Sequence, residues 1–168
     1  MQKKPGAGLV ALAALVVTVG LAIPAGAQGV VMQRNISLPM AKAMAEATLA
    51  ACKAKNYNTV AAVVDRAGQV LVILRDEQAT PQMVEMARRK AYTARMFRMS
   101  SSDFQKRSAT DPTYLPQRDL PDILALGGGL PIKVGDDTIG GVGSAGSTQE
   151  LDEACAKAGL DKVADLLK

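Results

Sequence analysis

The 168-residue sequence contains no histidine and no tryptophan, and it has only three tyrosines and two phenylalanines. The missing histidine removes the commonest metal ligand, the commonest general base and the commonest haem ligand. It also excludes every Ser-His-Asp and Cys-His catalytic arrangement. With aromatics at 3% against a hydrophobic fraction of 48%, packing has to rest on Ala, Val, Leu, Ile and the eight methionines. The acids are scattered and no motif pairs them. Asp65, Asp152 and Glu153 are candidate acids, although Asp65 reads first as a hairpin residue and Glu153 as a solvated one. Composition therefore points to one domain by length, large enough to bury a core without metals or many disulfides.

The first residues read as a targeting segment. Lys3 and Lys4 precede an apolar run from Leu9 to Ile23, and Ala25-Gly26-Ala27 supplies a small-x-small cleavage site. Residues 1–27 are thus expected to be a signal peptide, leaving an exported, periplasmic or secreted chain with no stable membrane anchor. The run is shorter than the roughly 20 residues of a spanning helix. Removing the two lysines takes the basic count from 20 to 18 against 16 acids, and the net charge from +4 to +2. Neither that balance nor the few aromatics fits a nucleic-acid surface.

The mature chain alternates clear signals. Ser37 and Pro39 open a helix whose apolar positions are Leu38, Ala41, Ala45, Leu49 and Cys52. Val60–Val64 and Gln69–Leu74, joined by a turn at Asp65–Gly68, can only be an antiparallel hairpin. Thr80-Pro81, a capping residue followed by proline, opens a second helix that runs to about Met99. Ala87, Ala91 and Ala94 give it a small-residue face, and four arginines fill most of the rest. Ile123–Leu126 predicts a third strand, Leu130–Val134 a fourth and Thr138–Gly143 a fifth. Ser147-x-x-Glu150 forms a capping box for the last helix, which Gly159 is expected to stop.

The segments LPMAKAMAEATLAACKAK, VAAVVDRAGQVLVILRD, ARRKAYTARMF and LALGGGLPIKVGDDTIGGVGSAGSTQELDEACAKAGL together resemble the GlcG/HbpS family. The specific elements are VVDxxG, the KAxTA of Lys90–Ala94, the GGxPI of Gly128–Ile132 and the DEACA of Asp152–Ala156. The likeness runs from about Ile36 to Leu160 and implies a single domain over residues 36–168. It implies an α/β (α+β) fold: a profilin-like α/β/α sandwich whose five-stranded antiparallel sheet has the order 2-1-5-4-3. It also implies homo-oligomers. Its members include haem-binding and haem-degrading extracellular proteins, a protein of a glycolate-utilisation locus and PduO-type C-terminal domains.

Lys90 and Thr93 lie three apart on one helical face, so their side chains could converge on a ligand. Lys90 is equally readable as a lysine snorkelling from a packed face. The resemblance makes Thr93 an oxygen contact to haem iron, and Tyr92, Tyr114 and the methionines at 83, 86, 96 and 99 are further ligand types. Those methionines read first as core filling. Gly128, Gly129 and Gly143 are assigned a shared structural and pocket role. Cys52 and Cys155 are either a disulfide, as an exported chain would favour, or two buried thiols. Three functions remain in view: a small-molecule-binding protein for haem or a related tetrapyrrole without a histidine ligand, a small enzyme or carrier for an organic acid, and a purely structural oligomer.

Overall fold

The computed structural model describes residue 2 and residues 29–168; the expected signal peptide, residue 2 apart, lies outside the described residues. The secondary structure falls within the compact unit Gln33–Lys168. Its order is α1 (Leu38–Lys53), β1 (Val60–Val64), β2 (Val70–Arg75), α2 (Gln82–Phe97), α3 (Ser101–Thr110), β3 (Gly129–Val134), β4 (Asp137–Ala145) and α4 (Gln149–Lys162). Short 3₁₀ turns follow α3 and α4. The sheet is antiparallel throughout and has the order β2-β1-β4-β3. The α+β class and the antiparallel sheet are as expected, but the sheet has four strands among the described residues, not five.

The segment Ile123–Leu126 does not form the expected strand, because side chains remote in sequence reach it first. Side chains take over its backbone hydrogen bonding: Thr93 Oγ1 accepts from Leu124 N at 2.9 Å, and Ser101 Oγ donates to Leu126 O at 2.6 Å. The Arg89 guanidinium donates to Ile123 O. A buried backbone needs its polar groups met, and here helix side chains meet them instead of a neighbouring strand.

Helices cover both faces of the sheet. On one side α1 and α4 bury Met44, Ala61, Val63, Ile132, Val142 and Ala156. On the other side α2 packs over Val60, Ala62 and Ala145. The small face of α2 is used as its sequence implies, because Ala87, Ala91 and Ala94 are all fully buried. Its backbone comes so close to β4 that a Cβ at Gly143 would strike the Ala87 carbonyl oxygen. Gly159 does the same on the opposite side: it does not end α4, but sits within it against Thr48 Oγ1 and Met44 O of α1. The helix stop expected there is a helix-contact position instead.

Two caps also differ from expectation. Thr148, not Ser147, is the N-cap of α4, its hydroxyl accepting from Leu151 N at 3.3 Å. Pro81 precedes α2 without a side-chain cap, which leaves Thr80 free of that role. Ser37 caps α1 as read, accepting from Met40 N at 3.4 Å. Leu38, however, is 54% exposed, and Met44 takes the core position.

Cys52 of α1 and Cys155 of α4 form a disulfide, with Cα atoms 5.5 Å apart. The bond ties the first helix to the last across a separation of 103 residues.

Candidate functional site

Lys90 projects from the middle of α2 into the protein and is only 2% exposed. Its Nζ donates to Asp152 Oδ2 at 2.7 Å and to Ser144 O at 3.1 Å. Asp152, in the first turn of α4, is 1% exposed. Its other oxygen accepts from Ser147 Oγ at 2.6 Å, from Ser147 N at 3.2 Å and from Ser144 Oγ at 3.5 Å. A buried ion pair is tolerable only when the remaining hydrogen-bonding capacity of both ions is met, and this one is nearly saturated. The hydroxyl expected to cap α4 is thus spent on orienting a carboxylate.

Gly128 permits this arrangement. Its φ of +122° lies in the region that favours glycine, and an added Cβ would stand 2.8 Å from Asp152 Cβ and Ser144 O and 2.9 Å from Lys90 Nζ. The neighbouring Gly129 lies under the Lys90 carbonyl, its N–H donating to Ser101 Oγ at 2.8 Å. The glycine cluster is therefore a close-packed cover over an ion pair.

Above the pair opens a cavity of about 600 Å³. Met83, Met86, Ala79 and Leu126 supply its apolar wall, and Tyr57, Asn58, Gln78 and Thr80 contribute polar groups. Among the described residues that line it, Lys90 and Asp152 are the only charged ones. A polar clasp spans the two loops at its edge. Lys53 Nζ donates to Asn58 Oδ1 at 2.9 Å and to Asp76 Oδ2 at 2.8 Å, while Asn58 Nδ2 donates to Gln78 Oε1 at 3.0 Å. The Lys53 hydrogen bond holds the Asp76 carboxyl below its usual range, helped by the Gln78 backbone N–H.

The residues singled out in the sequence separate into distinct places. Lys90 and Gly128 belong to this site. Thr93 does not join Lys90 there, since its buried hydroxyl holds the Leu124 backbone. Tyr114 lies in another cluster, where the Arg107 guanidinium sits 4.4 Å over its ring and 5.6 Å over those of Phe97 and Phe104. Gly143 serves the α2–β4 contact. Of the methionines, Met83 and Met86 reach the cavity, whereas Met96 is 46% exposed. The arginines of α2 are largely engaged: Arg88 pairs with Glu85 and Asp122, Arg89 holds Ile123 O, and Arg95 donates to Arg66 O at 2.7 Å.

What the sequence did not reveal is the partnership of Lys90 with Asp152, or the part played by Ser147. One signal was present. Asp152 stands three residues before Cys155, which puts it on the buried face of α4. A second hollow, about 640 Å³, lies along α3 and α4, and Gln149 borders both.

Comparison with known proteins agrees with this architecture. A family model described as haem degrading protein HbpS-like matches residues 36–161. The crystal structure of HbpS is 36% identical, covers 80% of this chain and 96% of its own, and superposes with a TM-score of 0.75. The Klebsiella pneumoniae protein ORFY is 27% identical, covering 80% and 94% of the two chains with a TM-score of 0.76. A 15.0 kDa protein of Citrobacter freundii, from a dhaT-dhaS intergenic region, is 32% identical over 79% of this chain and 94% of its own. With the matched model spanning nearly the whole described unit, the chain belongs to the HbpS-like family.

Proposed function

We propose that this is an exported small-ligand-binding protein that takes haem or a related tetrapyrrole in the cavity above Lys90 and Asp152, without a histidine ligand. The observation that carries the reading is the cavity's donor set. Met83 and Met86 bring thioethers and Tyr57 a phenol, both types that ligate haem iron. Its volume of about 600 Å³ lies within the range of small-molecule and cofactor sites. The family's description as haem-degrading supports the same choice of ligand.

Haem, when bound, supplies a redox-active iron. The chain's own residues have simpler work. Met83, Met86, Ala79 and Leu126 offer an apolar surface to a macrocycle, and Thr80 offers a hydroxyl to a polar substituent. Thr93 and Tyr114 are no part of this reading, because their side chains are engaged elsewhere. An organic acid held by Lys90 is less well supported, since Asp152 already meets that charge at 2.7 Å.

Export is supported by the composition of residues 1–27 and by the Cys52–Cys155 bond, which persists in oxidising compartments. Assembly into homo-oligomers is carried over from the family likeness and is open to light scattering. The decisive experiment titrates haemin into the chain from Gln28 onward and follows the Soret band. A saturable shift that weakens in Met83→Ala and Met86→Ala is expected. A spectrum equal to that of free haemin would end the proposal.

A further inference from the structure

We propose that Lys90 forms an imine with small uncharged aldehydes or ketones that enter the cavity, with Asp152 carrying the proton. This does not rest on tetrapyrrole binding; it needs only the cavity and the pair at its floor. Lysines are almost never fully buried, and desolvated ones are the side chains that form Schiff bases with carbonyl compounds. Lys90 is such a lysine, buried to 2% exposure yet lining the cavity. Two of the three N–H groups on Nζ are committed, to Ser144 O and Asp152 Oδ2, which leaves one uncommitted.

The surroundings assign the roles. Asp152 Oδ2, 2.7 Å away, takes a proton from the ammonium and frees the nitrogen lone pair. That pair attacks the carbonyl carbon, a C–N bond forms, and the carbonyl π electrons move to oxygen. The oxygen receives a proton from the nitrogen, giving a carbinolamine. Asp152 then returns its proton to the hydroxyl, which leaves as water while the nitrogen forms the C=N bond. The balance is ammonium plus carbonyl compound giving iminium plus water, with the carboxylate facing the iminium as it faced the ammonium. Ser147 makes this possible by holding Oδ1 through both Oγ and N, so that Oδ2 stays directed to the lysine.

The class of substrate follows from charge. Lys90 and Asp152 cancel, and among the described lining residues no other charge is present. An ionised ligand carried to this floor would lose its hydration without gaining a counter-ion, which is costly. An uncharged carbonyl compound meets no such penalty, and the Met83, Met86 and Leu126 wall favours one with an apolar tail.

The test incubates the folded protein with propanal and cyanoborohydride, which fixes an iminium as an N-propyl group, and maps modified lysines by peptide mass spectrometry. Lys90 should reach a given occupancy at roughly ten-fold lower propanal than the exposed Lys42, Lys55 and Lys133. Equal or lower occupancy at Lys90 would overturn the proposal whatever else is modified. An Asp152→Asn protein that keeps its far-ultraviolet circular dichroism should lose that preference; if it keeps the preference, the proton-carrying role is wrong. Should that variant fail to fold, the wild-type map alone decides.

Discussion

Removing Lys90 or Asp152 singly should be expensive, and removing both charges together should not. Both groups are almost wholly buried, and their atoms meet at 2.7 Å. Asp152→Asn leaves an ammonium in the interior with the Ser144 carbonyl and a neutral amide for company. Breaking a buried pair in this way costs about 3–5 kcal/mol. Lys90→Met keeps an unbranched side chain, slightly shorter than that of lysine, and strands the carboxylate, which still accepts from Ser147 Oγ, Ser147 N and Ser144 Oγ. Its cost should fall near the lower end, about 3 kcal/mol. The double variant has no charge to strand. The amide oxygen introduced by Asp152→Asn would keep the Ser147 bonds, and the chief loss is one hydrogen bond to Ser144 O, about 1 kcal/mol. The singles therefore sum to at least about 6 kcal/mol while the double loses about 1–2, a coupling of roughly 4 kcal/mol. Urea unfolding at pH 7, analysed with m unchanged, measures all four proteins. Single variants that add to within about 0.5 kcal/mol of the double would refute the claim that these charges depend on each other.

Two further outcomes are expected. Cys52→Ala with Cys155→Ala opens a loop with a sequence separation of 103; it should lower stability by about 4–5 kcal/mol, read as a fall in the urea midpoint, and the same fall should follow reduction of the wild type. Gly128→Ala meets both a φ of +122° and a contact 2.8 Å from Asp152 Cβ, whereas Gly135→Ala meets a φ of +58° with open space around it. Thermal melts should show Gly128→Ala losing about 3 kcal/mol or more and Gly135→Ala about 1; similar losses at the two sites would mean that crowding over the ion pair is not what Gly128 relieves.

Local signals in the sequence carried most of the fold. The Asp65 turn is one case: its carboxylate accepts from Ala67 N and Gln69 N at 2.8 Å, so the β1–β2 hairpin follows from residues within five positions. The alanine face of α2 is another, because a helix lined with Ala can only be meant for close approach. Periodicity failed where the deciding partner was remote. Ile123–Leu126 is apolar enough for a strand, yet Thr93, Ser101 and Arg89 had already taken its backbone groups. Gly159 reads locally as a stop, and only the nearness of α1 shows why a side chain is excluded there. The site suffered most from this distance. Lys90 was visible as the lysine of a motif, but Asp152 lies 62 positions away and belongs to a different motif.

The pairing changes what the cavity can be asked to hold. Read from the sequence, Lys90 is either a cation that shares a ligand with Thr93 or a lysine snorkelling from a packed face. In the fold it is a neutralised group, and the lining described has no net charge. A ligand with carboxylates meets that restriction by keeping them in water and presenting its uncharged part to Met83, Met86 and Leu126, since moving an unpaired carboxylate onto this lining would be strongly opposed. A tetrapyrrole, with an apolar ring and peripheral acids, divides in that way; a small hydroxy acid, whose charge lies within a bond or two of every atom, does not. An ester of the propionates should thus bind about as well as the free acid, whereas a small acid should gain affinity when esterified. Parallel titrations of haemin and its dimethyl ester, followed by the Soret band, distinguish this from a propionate-anchored mode, in which the ester would bind far more weakly.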